Sequence, residues 1–297
     1  MKVARLYRSR WVLPYLYDGP PRPSVTDSTA SEGRRTGYPS VPFSAASGIV
    51  LVATILLSVS GCGSSVDPAM YAKFQSAQDR FEHATEPSQF LQAAATYQEI
   101  LDARVVSGAV LYNQGNAFMR AGERGRAIAC YRQAKRYRPR DPYLDANLRF
   151  AVGDTDAARS KPIIEYILFW SEWISYHGKF QLSLGCALLT FGISVASLFV
   201  KPQLLKRFGM LALCVTLAAV ISAGYDWYRF SHLKYGVVIA EEVVARKGDS
   251  ETYQPAFTKP LDEGTEFQVL EQRSGWIQLR LDGAQVGWVP SKDVVVY

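Results

Sequence analysis

The longest apolar runs lie in the second half of the chain and predict two membrane-crossing helices. Residues 180–200 and 208–225 contain no charged residue, and each run is long enough, at about 20 residues, to cross a bilayer as a helix. The segment between them, 201–207, is basic and has no acid, as is typical of a cytoplasmic loop. The pattern therefore predicts a transmembrane hairpin with helices over 179–200 and 208–225. A hairpin buried in a soluble core is the alternative.

Residues 162–178 precede the hairpin and are rich in tryptophan, tyrosine and isoleucine. This composition predicts an interfacial helix that lies along the membrane surface. Because a hairpin returns the chain to the side from which it came, the regions before and after it should share one compartment. Neither uncharged run contains Asp, Glu, Lys, Arg or His, so we expect no ion or proton path through them.

A shorter apolar run, IVLVATILLSV at 49–59, has the length of a signal sequence and is too short to span a bilayer. The following residues, Val59-Ser60-Gly61-Cys62, resemble the lipobox of bacterial lipoproteins, which implies cleavage before Cys62 and lipidation of its thiol. An ordinary cleaved signal and an uncleaved anchor are the alternatives. All three place the chain from residue 70 onward outside the cytoplasm. Residues 1–62 are thus predicted to be a disordered N-terminus and export signal.

Residues 108–141 show helical spacing in two blocks separated by Gly122 and closed by Pro139. Small and aromatic residues recur at fixed offsets: Leu111, Gly115, Phe118, Ala127, Tyr131 and Ala134. These positions resemble a tetratricopeptide repeat, a helix–turn–helix unit of 34 residues. A shift of one repeat length places Ala93, Tyr97 and Ile100 in matching slots, so 74–107 is predicted to be a degenerate repeat. Residues 142–151 are expected to form a capping helix, which completes a repeat domain over 70–152.

The resemblance implies a concave groove lined by the first helix of each repeat. In the second repeat, five residues are predicted to face it: Tyr112, Asn113, Asn116, Met119 and Arg120. Asparagine and arginine side chains there could hold an extended peptide or a carboxylate through charge-assisted hydrogen bonds. A solvated polar surface is the alternative interpretation.

From Tyr235 onward the pattern changes to alternating β-branched residues punctuated by glycine, which predicts a small barrel of five short strands over 236–297. Glu263-Gly264-Thr265, Gly275-Trp276 and Gly287-Trp288-Val289-Pro290 resemble the bacterial SH3-like domain. That resemblance implies a ligand surface at Trp276, Trp288 and Pro290, with core packing of the two tryptophans as the alternative. The predicted fold class is therefore α plus small β: helical repeats, a transmembrane hairpin and a C-terminal barrel.

The net charge, the cysteines and histidines, and the search for catalytic motifs do not alter the predicted architecture. The net charge of +6 and the arginines of 120–140 invite a nucleic-acid interpretation, but an exported segment would not meet nucleic acid, and a solvated helical face is favoured. The four cysteines form no close pair, and the histidines lack metal-ligand spacing. No nucleophile–base pair or phosphate loop is visible in the sequence, so neither an enzyme nor a bound metal or cofactor is expected.

The order of export signal, helical repeats ending in DANLRFA, two spans and an SH3-like tail resembles the BatE proteins of the Bacteroides aerotolerance operon family, over about 70–297. This resemblance implies a scaffold in the bacterial cytoplasmic membrane, with both soluble domains on the extracytoplasmic side. It also implies membrane or periplasmic partners of the von Willebrand type, besides the lipid bilayer itself. Peptidoglycan binding through the SH3-like domain is the alternative function.

Overall fold

The computed structural model describes residues 67–153, 168, 170, 173–199, 203–282 and 284–297. These residues form seven helices and one five-stranded antiparallel sheet. The prediction of a mostly helical chain with a small sheet and two apolar helices is thereby confirmed. The predicted export signal and Cys62 lie outside the described residues.

Five helices before the hairpin form the helical domain, residues 67–153. They are α1 (Pro68–His83), α2 (Pro87–Asp102), α3 (Gly108–Ala121), α4 (Arg124–Lys135) and α5 (Pro142–Val152). Proline at the first position begins α1, α2 and α5, where its missing N–H costs nothing. The side chains of Asp67, Ser107 and Asp141 accept hydrogen bonds from the first turns of α1, α3 and α5, which satisfies otherwise unpaired N–H groups.

Successive helices pack against each other in two antiparallel pairs followed by α5. Buried positions recur 34 residues apart, as Ala93 and Ala127 or Tyr97 and Tyr131 illustrate. At Gly115 α3 approaches α4 closely, because a Cβ atom there would lie 2.6 Å from Cε1 of Tyr131. The turn between α3 and α4 uses Gly122 in the left-handed conformation, at φ 89°.

Two long apolar helices, α6 (Tyr176–Phe199) and α7 (Gln203–His232), form the hairpin. By length and composition both could cross a membrane, and few of their side chains are buried. The hydroxyls of Thr190 and Thr216 join them at 2.8 Å, and a buried ion pair between Lys179 and Asp226 joins them near one end.

Both helices extend beyond the charge-free runs. α7 begins before Lys206 and ends after Asp226, because a charged side chain does not interrupt the backbone hydrogen bonds of a helix. The predicted interfacial helix falls largely outside the described residues, and 176–178 belong to α6 instead.

The β domain, residues 235–297, is a sheet with strand order β4-β3-β2-β1-β5. Its strands are β1 (Tyr235–Val238), β2 (Glu266–Arg273), β3 (Trp276–Arg280), β4 (Val286–Pro290) and β5 (Val294–Val296). The chain leaves the sheet after Val238, and Glu242 adopts φ 54°. The connection to β2 folds back on itself through the bridge of Val243 with Leu261, and Arg246 bridges to Trp288 of β4.

Candidate interaction surfaces

Helix α3 carries all five residues predicted to line a groove. Arg120 is exposed, and Tyr112, Asn113, Asn116 and Met119 are half-buried. The Arg120 guanidinium lies 4.7 Å from the centre of the Phe90 ring, a cation–π distance that fixes its orientation. Met119 packs against the domain core.

Asn116 belongs to a polar network inside the helical domain. Its Oδ1 accepts hydrogen bonds from the Tyr131 hydroxyl at 2.8 Å and from Nδ2 of Asn147 at 2.9 Å. Asn147 also donates to the Tyr112 hydroxyl at 3.0 Å. Burial raises the pKa of Tyr131 well above its ordinary value, so Tyr131 remains a neutral donor at physiological pH. Asn116 therefore holds α3, α4 and α5 together, whatever else it contacts.

Gln114 occupies the position where the repeat pattern favours leucine, and it is almost fully buried. Its Nε2 donates to the Gln98 side chain at 2.8 Å and to the Ala94 carbonyl at 3.3 Å. Its Oε1 accepts from the Cys130 thiol at 3.4 Å. Burial raises the pKa of that thiol to about 12, and a protonated, buried thiol is a poor nucleophile. This polar group is therefore a structural link between α2, α3 and α4.

The β domain docks on α4 through two carboxylates. Glu263 accepts a hydrogen bond from the Gly125 backbone N–H at 2.7 Å and so caps a helix whose own Glu123 makes no side-chain cap. Glu266 receives two hydrogen bonds of 2.7 Å from the Arg132 guanidinium. Tyr297 adds its hydroxyl to Glu266 at 3.1 Å. Since a bidentate arginine–carboxylate pair has a fixed geometry, these contacts define the docking orientation.

Apolar packing completes this interface. Val237 of β1 is fully buried in the same cluster as Leu111, Ile128 and Leu144 of the helical domain. Gly125 makes the close approach possible, because a Cβ atom there would collide with the Val238 carbonyl oxygen and come within 3.0 Å of the Ile239 Cα. One hydrophobic core thus continues from the helical domain into the β domain.

The hairpin contacts the opposite end of α4. The Tyr176 N–H donates to the Arg136 carbonyl at 3.0 Å. The Arg136 guanidinium lies 4.6 Å from the Phe230 ring centre, and the Tyr137 and His177 rings stack at 5.6 Å. Helix α4 is therefore the common attachment element for the β domain and the hairpin.

The three residues predicted to form a ligand surface on the β domain lie in two different environments. Trp288 is 7% exposed, with the Arg273 guanidinium 5.3 Å from its ring centre, and is a packing residue. Trp276 and Pro290 face each other across β3 and β4 and line an open pocket of about 210 Å³. Charged side chains that the sequence patterns did not single out also line it: the acidic Glu241, Glu242, Glu251 and Asp293, and the basic Arg246.

Comparisons with known protein families, with curated proteins and with solved structures found no match.

Proposed function

We propose that the protein is a membrane-anchored scaffold whose helical domain binds an extended segment of a partner protein along α3. In this proposal the hairpin crosses the bacterial cytoplasmic membrane and both soluble domains lie on its extracytoplasmic side. The resemblance to BatE proteins makes a membrane protein of the von Willebrand type the expected partner.

The arrangement of contacts around α4 is the observation that carries this proposal. The β domain attaches at Gly125 and Arg132, and the hairpin attaches at Arg136. Both attachments are made to α4, the second helix of the α3–α4 pair. The face of α3 that bears Asn113 and Arg120 is left half-buried or exposed to solvent, as a partner-binding face requires.

Arg120 is the residue best suited to contact such a partner. Its stacking on Phe90 restricts the side chain before binding, which lowers the entropy cost of a hydrogen bond to a carbonyl or carboxylate. Asn116 is a poor choice for testing the groove by substitution. Loss of its side chain would also remove acceptors from Tyr131 and Asn147 and destabilise the domain.

A photocrosslinking residue in place of Arg120, in the full chain and in native membranes, tests the proposal. The matched control places the same residue at Arg126, which is also exposed and also lies over a phenylalanine, at 5.8 Å from the Phe118 ring centre. We expect a defined crosslinked product from position 120 that is absent or much weaker from position 126. Equal products from both positions would refute partner binding along α3.

A second candidate function is favoured by the pocket at Trp276. An aromatic wall beside three glutamates and Asp293, which outnumber the one arginine of the lining, Arg246, suits an amine-bearing ligand, because cations are attracted both to aromatic faces and to carboxylates. Peptide stems of peptidoglycan carry amines of this kind. Detergent-solubilised full chain should then sediment with cell-wall sacculi, and the Trp276→Ala variant should not. Equal sedimentation of the Trp276→Ala variant would exclude this pocket.

A further inference from the structure

The loop between α2 and α3 presents two adjacent apolar side chains to solvent. Val105 is 37% exposed and Val106 is 49% exposed. Among the described residues of the helical domain, this is the one place where two consecutive large apolar side chains are exposed. A single exposed apolar side chain is ordinary on a protein surface, whereas neighbouring ones form a contact surface. We call Val105 and Val106 together the apolar tip.

Backbone hydrogen bonds hold the apolar tip in a defined turn at the end of α2. The Arg104 N–H donates to the Leu101 carbonyl at 2.9 Å, and the Val105 N–H donates to the Ile100 carbonyl at 3.3 Å. These two bonds form a Schellman motif, which commonly ends a helix. Arg104 occupies its left-handed position at φ 61°, where glycine is the usual residue. The two valines therefore project from a turn whose backbone is fixed.

A chain of contacts connects the apolar tip with the start of the hairpin. Gly108 is the first residue of α3, and a Cβ atom there would lie 2.8 Å from Cβ of Tyr137 and 2.8 Å from Cγ of Arg138. The Tyr137 ring in turn stacks on the His177 ring of α6, with 5.6 Å between the ring centres. Val106 is two residues before Gly108 and so lies within about 7 Å of it. The apolar tip is therefore close to the base of the hairpin.

Helix geometry gives the level of this contact relative to the bilayer. The run of α6 without charged residues begins at Phe180, three residues after His177. At 1.5 Å per residue His177 lies about 4.5 Å before that run along the helix axis. The headgroup layer extends about 5–7 Å beyond the hydrocarbon on each side of a bilayer. If the hairpin crosses the membrane, His177 lies in the headgroup layer, and the loop attached through Tyr137 is within reach of it.

We infer that the apolar tip inserts into the headgroup layer of the bilayer that the hairpin crosses, so that the helical domain rests on the membrane surface. Val105 and Val106 gain free energy by leaving water, and the exposed Arg104 beside them can extend its aliphatic stem along the same layer with its guanidinium among the phosphates. This inference rests on membrane insertion of the hairpin, which is part of the proposed function, but not on partner binding along α3.

Quenching of a fluorescent probe by labelled lipid tests the contact. An environment-sensitive fluorescent amino acid replaces Val106 in the full chain, which is purified and reconstituted in liposomes that carry a nitroxide on the lipid headgroup. The matched control has the same probe at the exposed Ser88, in the first turn of α2, about 21 Å along the helix from Asp102. We expect the probe at position 106 to lose most of its fluorescence and the probe at position 88 to lose little. No quenching at position 106, or equal quenching at both positions, would overturn the inference.

Two substitutions of equal exposure then test whether the apolar side chains cause the contact. Val105 and Leu91 are both 37% exposed and both lie outside the core, so a charge at either position should leave the unfolding midpoint nearly unchanged. Val105→Asp should reduce the quenching at position 106, and Leu91→Asp should not. Val105→Thr keeps the shape of valine and should reduce the quenching less, which provides a second test if Val105→Asp is unstable. Full quenching in both Val105 variants would overturn insertion of the apolar tip.

Two further readings separate the other possible occupants and the proposed function. A blue-shifted probe at position 106 that lipid nitroxides do not quench would assign the apolar tip to a second copy of this chain and overturn the lipid contact. The same fluorescent residue in place of Leu217, which is exposed near the middle of the uncharged run of α7, should be quenched by a nitroxide on the acyl chain. Quenching at position 217 with none at position 106 refutes the apolar tip alone. The absence of quenching at both positions refutes the membrane anchor as well.

Discussion

Replacing Gly125 with alanine tests whether the β domain is docked on α4. The substitution should lower the free energy of unfolding if the domain is docked and raise it if the domain is separate. Gly125 lies in the first turn of α4, where the added Cβ atom would meet the Val238 carbonyl oxygen and the Ile239 Cα. Both are backbone atoms of the β domain, so neither can rotate away as a side chain could. The substitution should therefore push the β domain off α4 and weaken the hydrogen bond from Gly125 to Glu263.

The expected magnitude follows from three terms. At a solvent-exposed helical position, alanine in place of glycine stabilises by about 1 kcal/mol. Overpacking of a tight contact costs about 1–3 kcal/mol, and a hydrogen bond to a charged group contributes about 1.5–3 kcal/mol. If the bond is partly lost, Gly125→Ala should lower the free energy of unfolding by about 2 kcal/mol. For a chain of this size that corresponds to a decrease of roughly 4–8 °C in the unfolding midpoint.

Thermal unfolding of the full chain in detergent measures the change, and hydrogen exchange of the first turn of α4 locates it. The control is Gly224→Ala in α7, where the added Cβ atom would have nothing within 4 Å, so its midpoint should stay the same or rise slightly. Faster exchange near Gly125 should accompany the lower midpoint. A Gly125→Ala chain that is more stable than the parent by about 1 kcal/mol, as an exposed helix would be, would refute docking.

Three further substitutions or treatments test other parts of the structure. Lys179→Met should destabilise by about 3–5 kcal/mol, because it removes the cation of a buried ion pair and leaves the Asp226 carboxylate buried without that counter-charge. Lys179→Met with Asp226→Leu should recover most of that loss in thermal unfolding, and no recovery would argue against the pair. The thiol of Cys130, whose pKa is raised to about 12, should resist iodoacetamide at pH 8 until the chain unfolds. Mass spectrometry measures the labelling, and rapid labelling of Cys130 in the folded protein would contradict its burial. As pH rises above the ordinary thiol pKa toward 12, the contribution of this buried thiol to stability should decline. Asn147→Ala should cost about 1–3 kcal/mol in unfolding free energy, while Arg149→Ala on the exposed face of α5 should cost little.

Local pattern was sufficient to predict a mostly helical chain with a small sheet and two apolar helices. The uncharged runs identified α6 and α7, which by length and composition could cross a membrane. Gly115 and Tyr131 identified the second helix pair because small and aromatic residues mark tight helix contacts. The ends of α7 differed from the prediction, since Lys206 and Asp226 end an uncharged run without ending a helix.

The contacts between domains could not be predicted in the same way. Glu263 and Gly125 are 138 residues apart, and neither belongs to a periodic pattern that points to the other. The groove residues illustrate a different difficulty. Asn116 lies on the predicted helix, but its hydrogen bonds to Tyr131 and Asn147 depend on how three helices pack. The spacing of polar residues cannot separate a ligand contact from an internal one.

Labelling from one side of the membrane tests the two-span arrangement most directly. Single cysteines in place of Gln92 in the helical domain, Lys259 in the β domain and Arg207 at the start of α7 are all at exposed positions. With a membrane-impermeant maleimide on intact spheroplasts, positions 92 and 259 should both react, and position 207 should react only after permeabilisation. Reaction of only one of positions 92 and 259 in intact spheroplasts would contradict a hairpin that brings both domains to one side.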